Sequence, residues 1–277
     1  MQFAINTPNF DFFGDPRLLA ELAHEAEESG WDGFFLWDHI LRDRRAEIAD
    51  PWIELAAMAM TTKRIKLGPM VTPLPRRRPW IVARQAVTLD QLSNGRLILG
   101  VGIGHDFARE YSAFSESPDA KLHGEMLDEG LEVLTKLWGG EMITYEGKHY
   151  QVKDVQFLPR PVQQPRVPIW VAGYWPNKKP FRRAAQWDGV TPIVPDGELT
   201  PSQVREIISY MKAQRTNDTP FDLLVAGNTT GKERGQDAAQ VAPFAAAGAT
   251  WWQEAFNWNY SLEQVRERIR LGPPRIA

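Results

Sequence analysis

Short β-rich runs alternate with amphipathic helical stretches along the chain, and this rhythm constrains the fold more than any other feature. Phe3-Ala4-Ile5 reads as strand one. Asp15 is a helix N-cap with Pro16 at the first helical position, Leu18, Leu19, Leu22, Ala23 and Ala26 share one face, and Gly30 ends the helix. The pattern predicts further strands at Gly33–Trp37, Ile65–Val71, Leu97–Val101, Ile169–Ala172, Gly189–Val194, Phe221–Ala226 and Thr250–Gln253, with a helix after each. Residues 105–121 read as a long loop. A hairpin between Met142 and Phe157 and a Pro-rich connection then precede strand five. Eight such units predict an α/β fold, a closed (β/α)8 TIM barrel with insertions after strand four and before strand five, and residues 1–277 as one domain. A doubly wound open sheet is the rival, but no shift of composition divides the chain.

Composition narrows the function. No Cys occurs in 277 residues, which excludes disulfides, thiolate catalysis, zinc–cysteine sites and iron–sulfur clusters. Thirty-two Lys and Arg against 35 Asp and Glu give a net charge of −3, so no field favours nucleic acid. With no basic leader and no apolar run of the ~18 residues a membrane span needs, a cytoplasmic protein without a membrane partner is expected. The five His residues show no HxH or HExxH spacing, so no metal site is expected, and no G-x-S-x-G elbow occurs.

In such a barrel, function sits at the C-terminal ends of the strands. Strand two ends in Trp37-Asp38-His39, where an imidazole can exchange a proton with a ligand or simply bond the backbone. Strand three ends in Gly68-Pro69-Met70-Val71-Thr72-Pro73, too rich in Pro for regular sheet, which suggests a bulge or a turn. Strand four ends in Gly100-Val101-Gly102-Ile103-Gly104-His105. This is no dinucleotide fingerprint, because His105 stands at the third glycine and no helix opens there, yet its glycines let a ligand approach the backbone. Strand five ends in Ala172-Gly173-Tyr174-Trp175 before a helix carrying Lys178, Lys179, Arg182 and Arg183, either a phosphate cradle or a solvated face. Asn228 and Glu254 end strands seven and eight. Trp37, Trp175, Trp251 and Trp252 either line an apolar cavity or belong to the core.

Taken in order, several motifs resemble the bacterial luciferase-like flavin monooxygenase and deazaflavin-dependent oxidoreductase superfamily. They are Gly30-Trp31-Asp32-Gly33 through Asp38-His39, Thr62-x-Arg64-Ile65-x-Leu67-Gly68, and Ala83-x-Gln85-Ala86-x-Thr88-Leu89-Asp90-Gln91-Leu92-Ser93-x-Gly95-Arg96 with Leu99-Gly100-Val101-Gly102-x-Gly104. Asp128-Glu129-x-Leu131, Leu137-Trp138, Gln164-x-x-x-Pro168-Ile169-Trp170 and Asp188-Gly189 continue the likeness.

The resemblance implies a flavin-dependent oxidoreductase, in first place a monooxygenase using reduced FMN and O2 on a small organic substrate. A separate NAD(P)H:flavin reductase would supply the reduced flavin. The alternative is hydride transfer with a deazaflavin coenzyme, whose acidic tail would suit Arg76-Arg77-Arg78. It also places His39 and His105 as catalytic residues and puts Asp38, His39, Met70, Val71, Gly102, Gly104, His105, Ala172, Gly173, Tyr174 and Trp175 around the cofactor, with a cis peptide at Met70-Val71. Trp37, Asn228, Trp252 and Glu254 are the candidates for substrate contact. Relatives are often dimers, which allows a homodimer. Two departures stand out: His105 replaces the Glu of deazaflavin dehydrogenases, and Pro69 replaces a small hydroxyl residue. From other classes, a non-catalytic flavin-binding protein, or a barrel lyase or hydrolase using His39 and Glu254 as acid and base, stays open.

Overall fold

The computed structural model describes residues 1–42, 45–195, 197–216 and 218–276. In chain order, β1 (Gln2–Thr7), α1 (Pro16–Glu28), β2 (Gly33–Leu36), α2 (Pro51–Thr61), β3 (Lys66–Pro69), β4 (Thr72–Pro73), α3 (Pro79–Leu92) and β5 (Leu99–Gly102) form the first half. An insertion follows, with α4 (Ala120–Trp138) and a hairpin of β6 (Met142–Glu146) and β7 (Gln151–Gln156). The second half is β8 (Ile169–Tyr174), α5 (Lys178–Ala184), β9 (Gly189–Ile193), α6 (Pro201–Gln214), β10 (Asp222–Gly227), α7 (Arg234–Ala247), β11 (Trp251–Ala255) and α8 (Leu262–Arg270).

Local chemistry sets the helix starts. Asp15 accepts the Arg17 N–H at 2.9 Å ahead of α1. Thr200 with Gln203, and Ser261 with Gln264, form reciprocal capping boxes on α6 and α8, satisfying N–H groups that a helix start leaves open.

The parallel sheet runs β3-β2-β1-β11-β10-β9-β8-β5-β4. Since β3 and β4 are two halves of one barrel strand, the sheet closes on itself: β4 pairs with β5, and the Ile98 N–H donates to the Leu67 carbonyl at 2.8 Å. The result is the expected eight-membered barrel, with its hairpin insertion before β8. The third strand does not run unbroken to Val71. It breaks at Met70–Val71, whose peptide bond is cis, between Pro69 and Pro73, which lack the N–H a ladder needs. Gly68 allows the close approach behind this break, because a Cβ there would lie 1.8 Å from the Ile98 carbonyl oxygen.

Strand alternation divides the side chains into two populations. Phe3, Ile5, Phe34, Leu36, Leu99, Val101, Val171, Val190, Leu223 and Val225 face the helices in the large outer core. Ala4, Phe35, Met70, Ile98, Trp170, Leu224 and Trp251 fill the barrel itself. Phe35, Trp170 and Trp251 pack with ring centroids 5.4 to 5.9 Å apart, each pair adding about 0.5–1.5 kcal/mol beyond its buried area. Trp251 therefore belongs to the barrel floor. The same two-residue period puts Asn6, Trp37, Gly100, Ala172, Thr191, Ala226 and Gln253 in the next layer up. Ala226 is solvent-exposed although it lies within a barrel strand, so the mouth above the floor is open.

Candidate active site at the barrel mouth

The wall nearest the break in the third strand is made of very small residues. A Cβ on Gly100 would lie 2.4 Å from the Pro69 carbonyl oxygen, so the backbone of the break fills that space. One step higher, a Cβ on Gly102 would meet Val71 Cγ2 at 3.1 Å and the Ala172 Cβ at 3.7 Å. Val71 is half-buried and rests on the floor cluster. Gly102, Ala172 and Val71 thus form a flat, shallow face with nothing projecting from it.

His39 stands on the rim after β2. Its backbone is clamped by the buried Asn9 side chain, which donates to the His39 carbonyl at 2.8 Å and accepts the His39 N–H at 3.2 Å. Its ring lies edge-on to Phe10 and Trp37, at 6.0 and 5.8 Å between centroids. Its Nδ1 lies 3.1 Å from Glu110 Oε2. With 28% of its side chain exposed, the imidazole has Nε2 left to meet a ligand.

Glu110 was not legible as a site residue, yet it organises this corner. Its Oε1 accepts the Ile40 N–H at 2.7 Å and Arg76 Nη1 at 2.8 Å. Burial raises its pKa, but the His39 hydrogen bond, the Arg76 charge and the Ile40 N–H outweigh that, so the carboxyl is held below its ordinary range. The loop carrying it is pinned by Tyr111, whose ring lies 4.0 Å from that of His123 and whose hydroxyl donates to the Ile103 carbonyl at 2.9 Å. The only sequence signal for Glu110 is an acidic residue beside Tyr111 in a loop, which no local pattern distinguishes.

Asp38 has a different place from the one expected of a cofactor contact. Its side chain is fully buried and saturated by Arg76 Nη2 at 2.7 Å, Arg77 Nη2 at 2.8 Å and the Thr72 hydroxyl at 2.8 Å. It anchors the β2 and β4 ends from behind. By the same contacts, Arg76 and Arg77 are spent inside the protein, and of the three arginines only Arg78 is exposed. An acidic coenzyme tail therefore does not find the cluster suggested by the sequence.

The other candidates sort by the direction of their strand position. Gly173 faces outward, where a Cβ would strike Pro180 at 2.3 Å. Trp175 also lies outside the barrel, packed on Phe181 and Tyr210 with Lys178 Nζ 3.4 Å above its ring. Trp252 joins the outer core. Glu254 faces outward too, paired with Arg268 at 3.0 Å and accepting the Thr229 N–H at 2.8 Å. These four are removed from the mouth because neighbouring strand positions face opposite sides of the sheet. That also ends the lyase or hydrolase pairing of His39 with Glu254. Gly104 adopts a left-handed turn, φ +73°, pressed against Tyr111. His105 is exposed, stacked on Phe107 at 3.4 Å, with Nδ1 accepting the Phe107 N–H. Tyr174 and Asn228 are exposed on the rim, and Met70 contributes to the floor. With Ile40, Phe107, Ile193 and Trp258, Tyr174 gives the rim an apolar character.

Comparison with known proteins agrees with this architecture. The family described as luciferase-like monooxygenase matches residues 1–271. The chain belongs to the luciferase-like monooxygenase family. It is an enzyme of the luciferase-like oxidoreductase class. Within this family it is 37% identical over 269 residues to the F420-dependent glucose-6-phosphate dehydrogenase of Microbacterium testaceum, covering 95% of this chain and 78% of that one. A protein of the same description from Amycolatopsis mediterranei is 35% identical over 58% of this chain and 49% of its own, so the match spans about half of that relative. Among solved structures, an F420-dependent secondary alcohol dehydrogenase in complex with an F420-acetone adduct superposes with a TM-score of 0.79, 17% identity and coverage of 99% of this chain and 98% of that one, a likeness of fold. Among the described residues, no helix is long and apolar enough to cross a membrane.

Proposed function

We propose that this luciferase-like enzyme is a hydride-transfer oxidoreductase using the deazaflavin coenzyme F420, rather than the FMN monooxygenase that the sequence put first. The 37% identity across 95% of the chain with an F420-dependent dehydrogenase carries this reading. The flat face of Gly102, Ala172 and Val71 fits a planar ring system, since any larger side chain at Gly102 would fill the space against Val71 and Ala172. When bound, such a coenzyme supplies an acceptor for a hydride from a substrate carbon.

The protein's own part is to place the substrate and manage the proton. His39 Nε2 takes the hydroxyl proton as the carbon is oxidised and returns it in the reverse direction. The Glu110 carboxylate, kept ionised by Arg76 and the Ile40 N–H, orients the ring through Nδ1 and stabilises the imidazolium that results. This follows the logic of a base held by a buried carboxylate. His105, solvated on Phe107, leaves proton handling to His39. A competition titration tests the cofactor: F420 displaces FMN from the protein if the proposal is right, and tight FMN binding without measurable F420 affinity refutes it.

A further inference from the structure

Two amide side chains in the mouth have open hydrogen-bonding capacity. Asn6, on β1, is 2% exposed and Gln253, on β11, is 7% exposed. Both occupy interior positions, one layer above Ala4 and Trp251, and the two strands are neighbours with Asn6 opposite Ala255. Asn6 Oδ1 accepts from Trp37 Nε1, which fixes the amide orientation and leaves Nδ2 buried without a partner. Gln253 Oε1 is a buried acceptor, also without a partner. Buried amides are normally satisfied, and leaving one unpaired is costly, so two on adjacent strands of a functional cavity call for a ligand.

Their position says which ligand. Around the barrel, β11 lies diametrically across from β5 and β1 across from β8. The amide pair therefore faces the flat wall of Gly102 and Ala172 from the opposite side, where a substrate lying over the bound ring would sit. An unpaired N–H donor and an unpaired carbonyl acceptor on adjacent strands, diagonal to one another in the register, match a hydroxyl, which accepts from one and donates to the other. Arg76 and Arg77, behind the mouth, are already engaged by Asp38 and Glu110, and Arg42 lies over the Phe10 and Trp258 rings. Strand alternation brings no charged side chain into the upper layer.

We infer that Asn6 and Gln253 are the specificity residues of the site and bind a hydroxyl of an uncharged substrate, one that carries a second oxygen for His39. The substrate class is thus a neutral, polyhydroxylated or hydroxy-carbonyl compound, not a sugar phosphate. This rests on the cofactor reading above.

The test uses ligand-observed NMR on protein loaded with reduced F420, a state in which an alcohol cannot turn over. The probes are cyclohexane-1,2-diol, cyclohexanol and glucose 6-phosphate. The parent protein is expected to bind the diol about tenfold more tightly than cyclohexanol, and in Gln253→Met and Asn6→Leu that preference falls to within about twofold. Coenzyme affinity, read separately by fluorescence, stays at the parental value. Gln253→Met keeps the bond between Asn6 and Trp37, so it decides the matter if Asn6→Leu fails to fold. Equal binding of diol and cyclohexanol by the parent, a preference that survives Gln253→Met, or tighter binding of glucose 6-phosphate overturns the inference while the cofactor reading stands. Loss of F420 affinity in Gln253→Met assigns the amide to the coenzyme and overturns it as well. A parent protein that does not bind F420 overturns both.

Discussion

Glu54 is a carboxyl that the fold holds at a cost, and neutralising it should stabilise the protein in a pH-dependent way. It sits in the first turn of α2, fully buried, and neither of its oxygens has a hydrogen-bond partner. Burial, with the Asp50 and Asp15 carboxylates nearby, pushes it up to about 8 from an ordinary 4.5. The unfolded chain gives up this proton near 4.5 and the folded chain keeps it to about 8. Between those values the folded state holds more protons, so stability falls as pH rises. At pH 7, about 2.5 pH units above the ordinary value, the cost is about 3 kcal/mol at 1.36 kcal/mol per unit. Glu54→Gln keeps the shape and removes the charge, so it should gain about that much at pH 7 and almost nothing at about pH 4.5. Urea unfolding followed by tryptophan fluorescence across this range gives the difference. A constant offset at every pH, or a variant less stable than the parent at about pH 8, would refute the reasoning.

The remaining predictions concern the mouth. Glu110→Gln should lose about 2 kcal/mol at neutral pH, because the buried Arg76 guanidinium loses its charged partner and the half-buried His39 loses its carboxylate. The parent's own carboxyl is held below its ordinary range, so the deficit, measured by denaturant midpoints, should shrink as pH falls through that lowered value and Glu110 protonates. In steady-state kinetics the same variant should shift the pH profile of kcat, which a purely structural role would leave in place. Gly102→Leu should abolish coenzyme binding in a fluorescence titration while circular dichroism shows the fold retained, since its backbone is not in the left-handed region and the added side chain, tight against Val71, enters the ring space beside Val71 and Ala172. Unchanged coenzyme affinity would show that the flat wall is not the coenzyme's.

The barrel was legible because its signals are periodic. Strand runs of four to six residues, Asp15 with Pro16, and the Thr200 and Ser261 capping boxes each repeat a local rule that tertiary packing does not override. The site was less so. Which of two adjacent strand residues faces inward is a matter of register, and a one-residue choice sent Gly173, Trp252 and Glu254 to the outer face while Ala172 and Gln253 turned in. Asn6 and Gln253 could have been found as polar residues two positions above interior apolar ones. Asp38 and Arg76 look like ligand groups in sequence, because nothing local shows that they neutralise each other across 38 residues. Glu110 depends on a contact with His39 across 71 residues of chain, beyond any pattern of spacing.

The most direct test of the central claim is anaerobic turnover. Oxidised F420 is mixed with hydroxylated, uncharged substrates under argon, and its absorbance is followed in the parent protein and in His39→Ala. The account predicts that the coenzyme is reduced without oxygen and that His39→Ala slows the step by about 10²–10⁴-fold, the range for loss of a general base. Substrate consumption only when reduced FMN and oxygen are supplied, with F420 left oxidised, would contradict it.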